Sequence, residues 1–149
     1  MSLPSGYSIR PVKASDYKRY LEVLSVLTSV GDVSPSQFEK LLDHWAANSL
    51  IYFPRVIADA EDNVVATGMI VVEQKLIHGC SKVGHIEDIA VDKSQQGKSL
   101  GFLLISHLNS IGEKEGCYKI ILDCSPKNTG FYEKCGYKDS GVQMAIRYD

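Results

Sequence analysis

The stretch VDKSQQGKSLGFLL, Val91 to Leu104, sets Gly97-Lys98-Ser99 between an apolar run upstream and a leucine-rich run downstream. Its end looks like that of a phosphate-wrapping P-loop. The second glycine of such a loop would fall at Asp92, so the small residues that let successive amides surround a triphosphate are missing. A strand, a tight loop and a helix in that order still gather unpaired amide donors at the positive end of a helix dipole. With Gly97 and Gly101 clearing side chains from its path, a smaller anion such as a pyrophosphate can lie across the helix start.

The neighbouring segments fix the architecture around this loop. The strand-like VGHIEDIAV leads into it, and Leu103, Leu104, His107, Leu108 and Ile111 form a helical stripe after it. YKIILDC then reads as a buried strand, so the two strands run parallel through a right-handed helical crossover. SPKNTGFYEKCGY follows as a short helix with Ser125 as N-cap, Pro126 at N1 and Gly136 at C′, and the closing VQMAIRY alternates like an edge strand. Upstream, a short strand, YSIRPV, precedes a predicted amphipathic helix from Ala14 to Val30, with Tyr17, Tyr20, Leu21, Leu24, Leu27 and Val30 on one face. A second helix opens on Ser34, Pro35 and Gln37 in a capping-box arrangement. RVIADAEDNVVATGMIVVEQKLI reads as a hairpin, with Gly68 marking a bulge. The order β-α-α-β-β-β-α-β-α-β predicts one α/β domain over residues 1–149, a central mixed, twisted sheet flanked by helices.

Composition narrows the function classes. Sixteen basic and eighteen acidic residues give a net charge of -2, which supplies no basic field for a nucleic-acid backbone. Cys80, Cys117, Cys124 and Cys135 show no CxxC spacing, and three of them stand in apolar surroundings expected of buried, reduced thiols. With no signal-peptide pattern and no apolar run near the ~20 residues of a membrane span, a soluble cytoplasmic protein is expected, with no membrane partner. His78 and His85 make no ligand set with the scattered cysteines, so no metal is expected.

Gln96 to Gly101 resembles the Q/R-x-x-G-x-G/A acetyl-CoA loop of the GNAT acetyltransferase superfamily, with Ser99 where the first motif glycine usually stands. The blocks GHIEDIAV, GCYKIILDC and FYEKCGY, the helix pair before them and MAIRY at the end extend the likeness over nearly the whole chain. Together they resemble the glucosamine-6-phosphate N-acetyltransferase family. That resemblance implies the GNAT acyl-CoA N-acyltransferase fold, acetyl-CoA as cosubstrate, and direct attack of a sugar 2-amine on the thioester in a ternary complex.

Such a reaction needs a proton acceptor for the amine, donors for the tetrahedral oxyanion and a proton or hydrogen bond for the departing thiolate. Candidate acceptors are Glu87, Asp88 and Asp123, toward the C-terminal ends of two adjacent parallel strands, where open α/β sheets place ligands. Strand alternation turns Glu87 and Asp88 to opposite faces unless a bulge intervenes. The resemblance implies Tyr132 near the CoA sulfur and Asn128, one helical turn earlier, on the CoA arm. It implies strand amides of Ile89, Ala90 and Val91 on the pantetheine, with Gln96, Gly97, Lys98, Ser99, Leu100 and Gly101 on the pyrophosphate. Thr28, Lys75, His78 and Arg147 match positions for the sugar phosphate, where arginine offers a planar fork. A homodimer is implied, in which Val142 to Tyr148 joins the partner's sheet and Arg147 completes the partner's site. Two other readings stay open: acetylation of a polyamine, a lysine or a protein N-terminus, and a non-catalytic nucleotide-binding module built on Gly97-Lys98-Ser99.

Overall fold

The computed structural model describes all 149 residues. Its core is a five-stranded sheet in the order β1 (Ser8–Arg10), β2 (Tyr52–Ala58), β3 (Val64–Gln74), β4 (Lys82–Val91), β5 (Cys117–Ile121). Each of the first four strands is antiparallel to the next, and β5 runs parallel to β4. A short helical turn, α3 (Ile77–Cys80), joins β3 to β4, and the crossover from β4 to β5 is α4 (Leu100–Lys114), as the strand, loop and helix order predicts.

Alternation along the strands supplies two cores. Ile57, Val65, Ile70, Val72 and Ile86 meet Leu100, Leu104, Ile105 and Leu108 of α4 on one face. Val56, Val64 and Ala90 meet Tyr20 and Val23 of α1 (Tyr17–Leu24) and Phe38 of α2 (Pro35–Ala47) on the other. Each fully buried aliphatic or aromatic side chain contributes about 1.5–3 kcal/mol. The capping box at α2 forms as read: the Ser34 hydroxyl accepts from the Gln37 amide at 3.1 Å, and the Gln37 side chain accepts from the Ser34 amide at 2.8 Å.

Two segments differ from the sequence reading. The first helix does not span Ala14 to Val30; a 3-10 turn (Ala14–Asp16) leads into α1, which ends at Leu24. Beyond it the Ser25 hydroxyl donates to the Glu22 carbonyl at 2.6 Å, and the chain unwinds through Val26 and Leu27, both exposed. Helical spacing continued in the sequence, but the sheet face that buries Tyr20 and Val23 does not extend under Leu27. The closing segment forms no strand within its own chain: residues 138–149 carry no regular structure and are exposed. The four cysteines are free as expected, yet none is fully buried, and Cys80 is exposed. No helix is long and apolar enough to cross a membrane.

Candidate active site

The site begins as a fault in the sheet. Thr67 pairs with Ala90 and Met69 with Glu87, so β4 carries one residue more than β3 across this interval. The extra residue forms a bulge in which Asp88 takes a left-handed φ of 54°. Gly68 lies opposite, and a Cβ there would stand 2.5 Å from Ile89 Cδ1 and 3.0 Å from Leu104 Cδ2. Gly68 therefore makes room for the bulge from the facing strand, and with the alternation broken Glu87 and Asp88 are both exposed.

Next to the bulge the sheet opens. The parallel ladder runs from Lys82 opposite Cys117 to His85 opposite Ile121 and ends there. Past it, β4 continues to Val91 with β3 as its only strand partner, so its other edge is left for a ligand that pairs like a strand. Ile89, Ala90 and Val91 lie on this edge, and Asp123 follows β5 across the opening.

The acidic groups act on one another. Partial loss of hydration at the bulge, then the charges of Asp123 and Asp88, push the Glu87 carboxyl above its ordinary range. Tyr132, on α5 (Thr129–Lys134), packs half-buried against the α4-side core, its ring 5.0 Å from that of Phe131. Burial raises its phenol pKa, with further upward contributions from Cys124, Cys135 and Asp123. A phenol held above its usual range stays protonated at neutral pH and can donate to a thiolate. Glu87, Asp123 and Tyr132 thus form one electrostatic group where β4 and β5 part. Asn128 stands at the N-cap of α5, exposed, rather than inside the helix.

The loop completes this end of the fold. Asp92 caps a 3-10 turn (Lys93–Gln95), accepting from the Ser94 amide at 2.9 Å and its hydroxyl at 2.8 Å. The side chain at the would-be second glycine of a triphosphate loop is thus turned into the turn itself. Gly97 has φ +81°, and Ser99, the N-cap of α4, is left-handed at φ 59°, ψ 26°, without a side-chain cap bond. The first amides of α4 therefore have no protein cap. The Lys98 ammonium bonds to Gln95 Oε1 at 2.8 Å and Tyr7 Oη at 3.0 Å, so the residue offers the loop its amide. Gly101 serves a purpose different from the one read in the sequence. Its missing Cβ faces Phe131 Cζ at 3.2 Å, so it lets α4 and α5 approach.

Ser99 is a serine in a conformation that costs a non-glycine residue about 1–2 kcal/mol. Part of that is offset because glycine raises the entropy of the unfolded chain. Ser99→Gly should therefore raise stability by about 0.5–1 kcal/mol in a denaturant titration. An unchanged or lower midpoint would show that the serine is not strained.

The cation candidates are not gathered in one chain. Lys75 pairs with Glu73 at 3.2 Å, and Glu73 also holds His85 at 2.9 Å. His78, left-handed at φ 52°, stacks on Tyr118 with ring centroids 4.0 Å apart. Tyr118 is the second residue of β5 and Asp123 follows its far end, about 16 Å away at strand rise. Thr28 is exposed beyond α1, and Arg147 is 78 % exposed, paired only with Asp149 of its own tail. The structure holds no group of three or more metal-ligating side chains.

Two residues of the site were missed by the sequence reading. Arg19 of α1 bonds Asp92 Oδ2 through Nη2 at 2.6 Å, and the Tyr7 hydroxyl donates to Gln95 Oε1 at 2.8 Å. Both contacts cross more than seventy residues of chain and leave no local signal.

Comparison with known proteins places this geometry. Residues 18–137 match the Acetyltransferase (GNAT) family. The chain is 56% identical to a glucosamine 6-phosphate N-acetyltransferase of Candida albicans, over 99% of this chain and 100% of that one. It is 44% identical to glucosamine 6-phosphate N-acetyltransferase 1 of Dictyostelium discoideum, over 95% and 90% of the two chains. The crystal structure of glucosamine-6-phosphate N-acetyltransferase from Arabidopsis thaliana superposes with a TM-score of 0.92 at 35% identity, covering 96% of this chain and 99% of that one. The bulged and splayed β4, the uncapped start of α4 and the tyrosine of α5 are thus set in a chain that belongs to the acetyltransferase (GNAT) family and groups there with the glucosamine 6-phosphate N-acetyltransferases.

Proposed function

We propose that the chain, acting as one GNAT domain, transfers the acetyl group of acetyl-CoA to the 2-amine of glucosamine 6-phosphate. The products are N-acetylglucosamine 6-phosphate and CoA, a step that feeds the cytoplasmic synthesis of UDP-N-acetylglucosamine. The observation that carries this reading is the bulge at Asp88 beside the end of the β4–β5 ladder. At the bulge Glu87 and Asp88 are both exposed, and beyond the end of the ladder the neighbouring edge of β4 has no strand partner, which supports a site there.

In this reading the pantetheine arm pairs along Ile89, Ala90 and Val91, and the pyrophosphate rests on the amides from Gln96 to Gly101. The amine nitrogen forms its bond to the thioester carbonyl carbon, giving an oxyanion bonded by β4 amides. The C–S bond then breaks, and Tyr132 hydrogen-bonds to the departing sulfur. The proton lost by the amine passes to the group of Glu87, Asp88 and Asp123. Direct transfer leaves no acetyl on the protein. Mass spectrometry of a reaction mixture should find the sugar phosphate gaining one acetyl, with the intact protein mass unchanged after incubation with acetyl-CoA alone. An acetylated protein competent to pass its acetyl to the sugar would overturn direct transfer.

The active form is a homodimer in this reading. Lys75 and His78 stand at the opposite end of β4 and β5 from their own carboxylates, and Arg147 lies on an exposed tail. Together with Thr28 they supply phosphate contacts only where two copies meet.

The raised Glu87 carboxyl gives a test by pH. A proton acceptor works only when deprotonated, so activity climbs as pH rises through its pKa. Asp123→Asn removes one negative neighbour that holds Glu87 up, so the acid limb of kcat/KM should move to lower pH. A limb at an unchanged pH, with lower activity throughout, would remove Glu87 from the titrating group.

A further inference from the structure

We infer that Arg19 and Tyr7, both far from the reacting atoms, are positioning residues that hold the Lys93–Gly101 segment in its anion-binding shape. The inference rests on that segment being the pyrophosphate cradle and adds what sets its geometry.

The segment has little of its own to keep it in place. Gln96 to Ser99 are exposed, with two left-handed residues, Gly97 and Ser99, close together. α4 begins without a side-chain cap. Amides converge on an anion only if the backbone between them is fixed, and binding to a loose loop loses affinity to the ordering of that loop.

Two braces from the first twenty residues supply that fixing. In the first, Arg19 donates through Nη2 to Asp92 Oδ2 at 2.6 Å and to the Val64 carbonyl at 3.0 Å, with Nε reaching the same carbonyl at 3.3 Å. Its Nη1 is held by Glu22 at 2.8 Å, one turn along α1. Asp92 is caught from the other side by Ser94, and its amide donates to the Val65 carbonyl at 2.9 Å. The loop therefore leaves β4 from a point tied to both α1 and β3. Arg19 and Ser94 hold the Asp92 carboxyl down at about 2, so it keeps its charge through the physiological range.

In the second brace the half-buried Tyr7 hydroxyl donates to Gln95 Oε1, while Lys98 donates to both oxygens and sits 5.4 Å from the Tyr7 ring centroid. Gln95 and Lys98 flank Gln96-Gly97, so this three-way contact closes the loop on itself against the strand-β1 side of the sheet. Neither brace touches Glu87, Asp123 or Tyr132, so its loss should act on cosubstrate affinity alone.

The test is kinetic. A charge-assisted hydrogen bond of this kind corresponds to roughly a tenfold change, so Arg19→Ala should raise KM for acetyl-CoA about tenfold. kcat at saturating acetyl-CoA and KM for glucosamine 6-phosphate should stay within about twofold. Arg19→Lys, which keeps one charge but not the fork, should recover about half of the loss on a logarithmic scale. Acetyl-pantetheine lacks the pyrophosphate, and both proteins should use it equally well. A fall of equal size with acetyl-CoA and acetyl-pantetheine would make Arg19 a general structural residue and overturn the inference, as would an unchanged KM for acetyl-CoA. If Arg19→Ala does not fold, Tyr7→Phe decides, with an expected rise of about threefold in KM for acetyl-CoA alone and no rise overturning the inference. Ser99→Asp separates this from the underlying reading, because a carboxylate at the start of α4 repels a pyrophosphate and suits the helix dipole. Unchanged affinity in Ser99→Asp would remove the cradle, whereas weak binding there with normal binding in Arg19→Ala would remove only the braces.

Discussion

Tyr132→Phe should lower kcat about a hundredfold while changing acetyl-CoA affinity by no more than about twofold. The phenol is half-buried, its ring is fixed by Phe131 and Tyr137, and its hydroxyl has no hydrogen-bond partner in the chain. Phenylalanine keeps the ring and the packing, so it removes one oxygen from a scaffold that stays in place. Burial and nearby acidic groups hold the phenol protonated, which is the state a leaving thiolate requires. The loss should thus fall on the chemical step, read as kcat beside a calorimetric dissociation constant for CoA. Unchanged turnover would remove Tyr132 from the reaction, and an equal loss in affinity would make it a binding residue.

If the proposed dimer forms through the tail, deleting Val142–Asp149 should abolish dimerisation and reduce turnover at least about a hundredfold, because the proposed interface strand and the Arg147 fork are both removed. Val142, Met144, Ile146 and Tyr148 are 86%, 87%, 80% and 95% exposed, and their alternation would put them on one face if the segment paired as a strand. Four such side chains left in water forgo about 6–12 kcal/mol of burial, a strong drive to find a partner. Strand β5 has β4 as its only neighbour, so its outer edge is open to a second chain. Sedimentation would report the association. Mixing Arg147→Ala with Tyr132→Phe should restore about a quarter of the sites, since only a hybrid pair combines a sound tyrosine with a sound arginine from its neighbour. A deletion that stays dimeric and active, or no recovery on mixing, would refute exchange of the tail.

Much of this was legible in the residues. Periodicity and turn chemistry marked the strands and the α2 capping box, and the run from Val91 to Leu104 gave the parallel crossover with its loop. Strand alternation puts Glu87 and Asp88 on opposite faces unless a bulge intervenes, and the bulge is present; Gly68 signals a bulge in the sequence, but only the fold shows that Ile89 and Leu104 fill its Cβ space. Where reading failed, the cause lay in distant contacts. Nothing local told that α1 stops at Leu24 once the sheet beneath it ends, or that VQMAIRY forms no strand in its own chain. The contact of Arg19 with Asp92 joins residues separated in sequence by two helices and three strands, so nothing near Arg19 signals it.

The acceptor decides the central claim. Thiol release from acetyl-CoA should be followed with glucosamine 6-phosphate and, in parallel, with unphosphorylated glucosamine. Rapid release with the sugar phosphate and little with the bare sugar is the predicted result. Equal rates with both acceptors, or none with either, would contradict it.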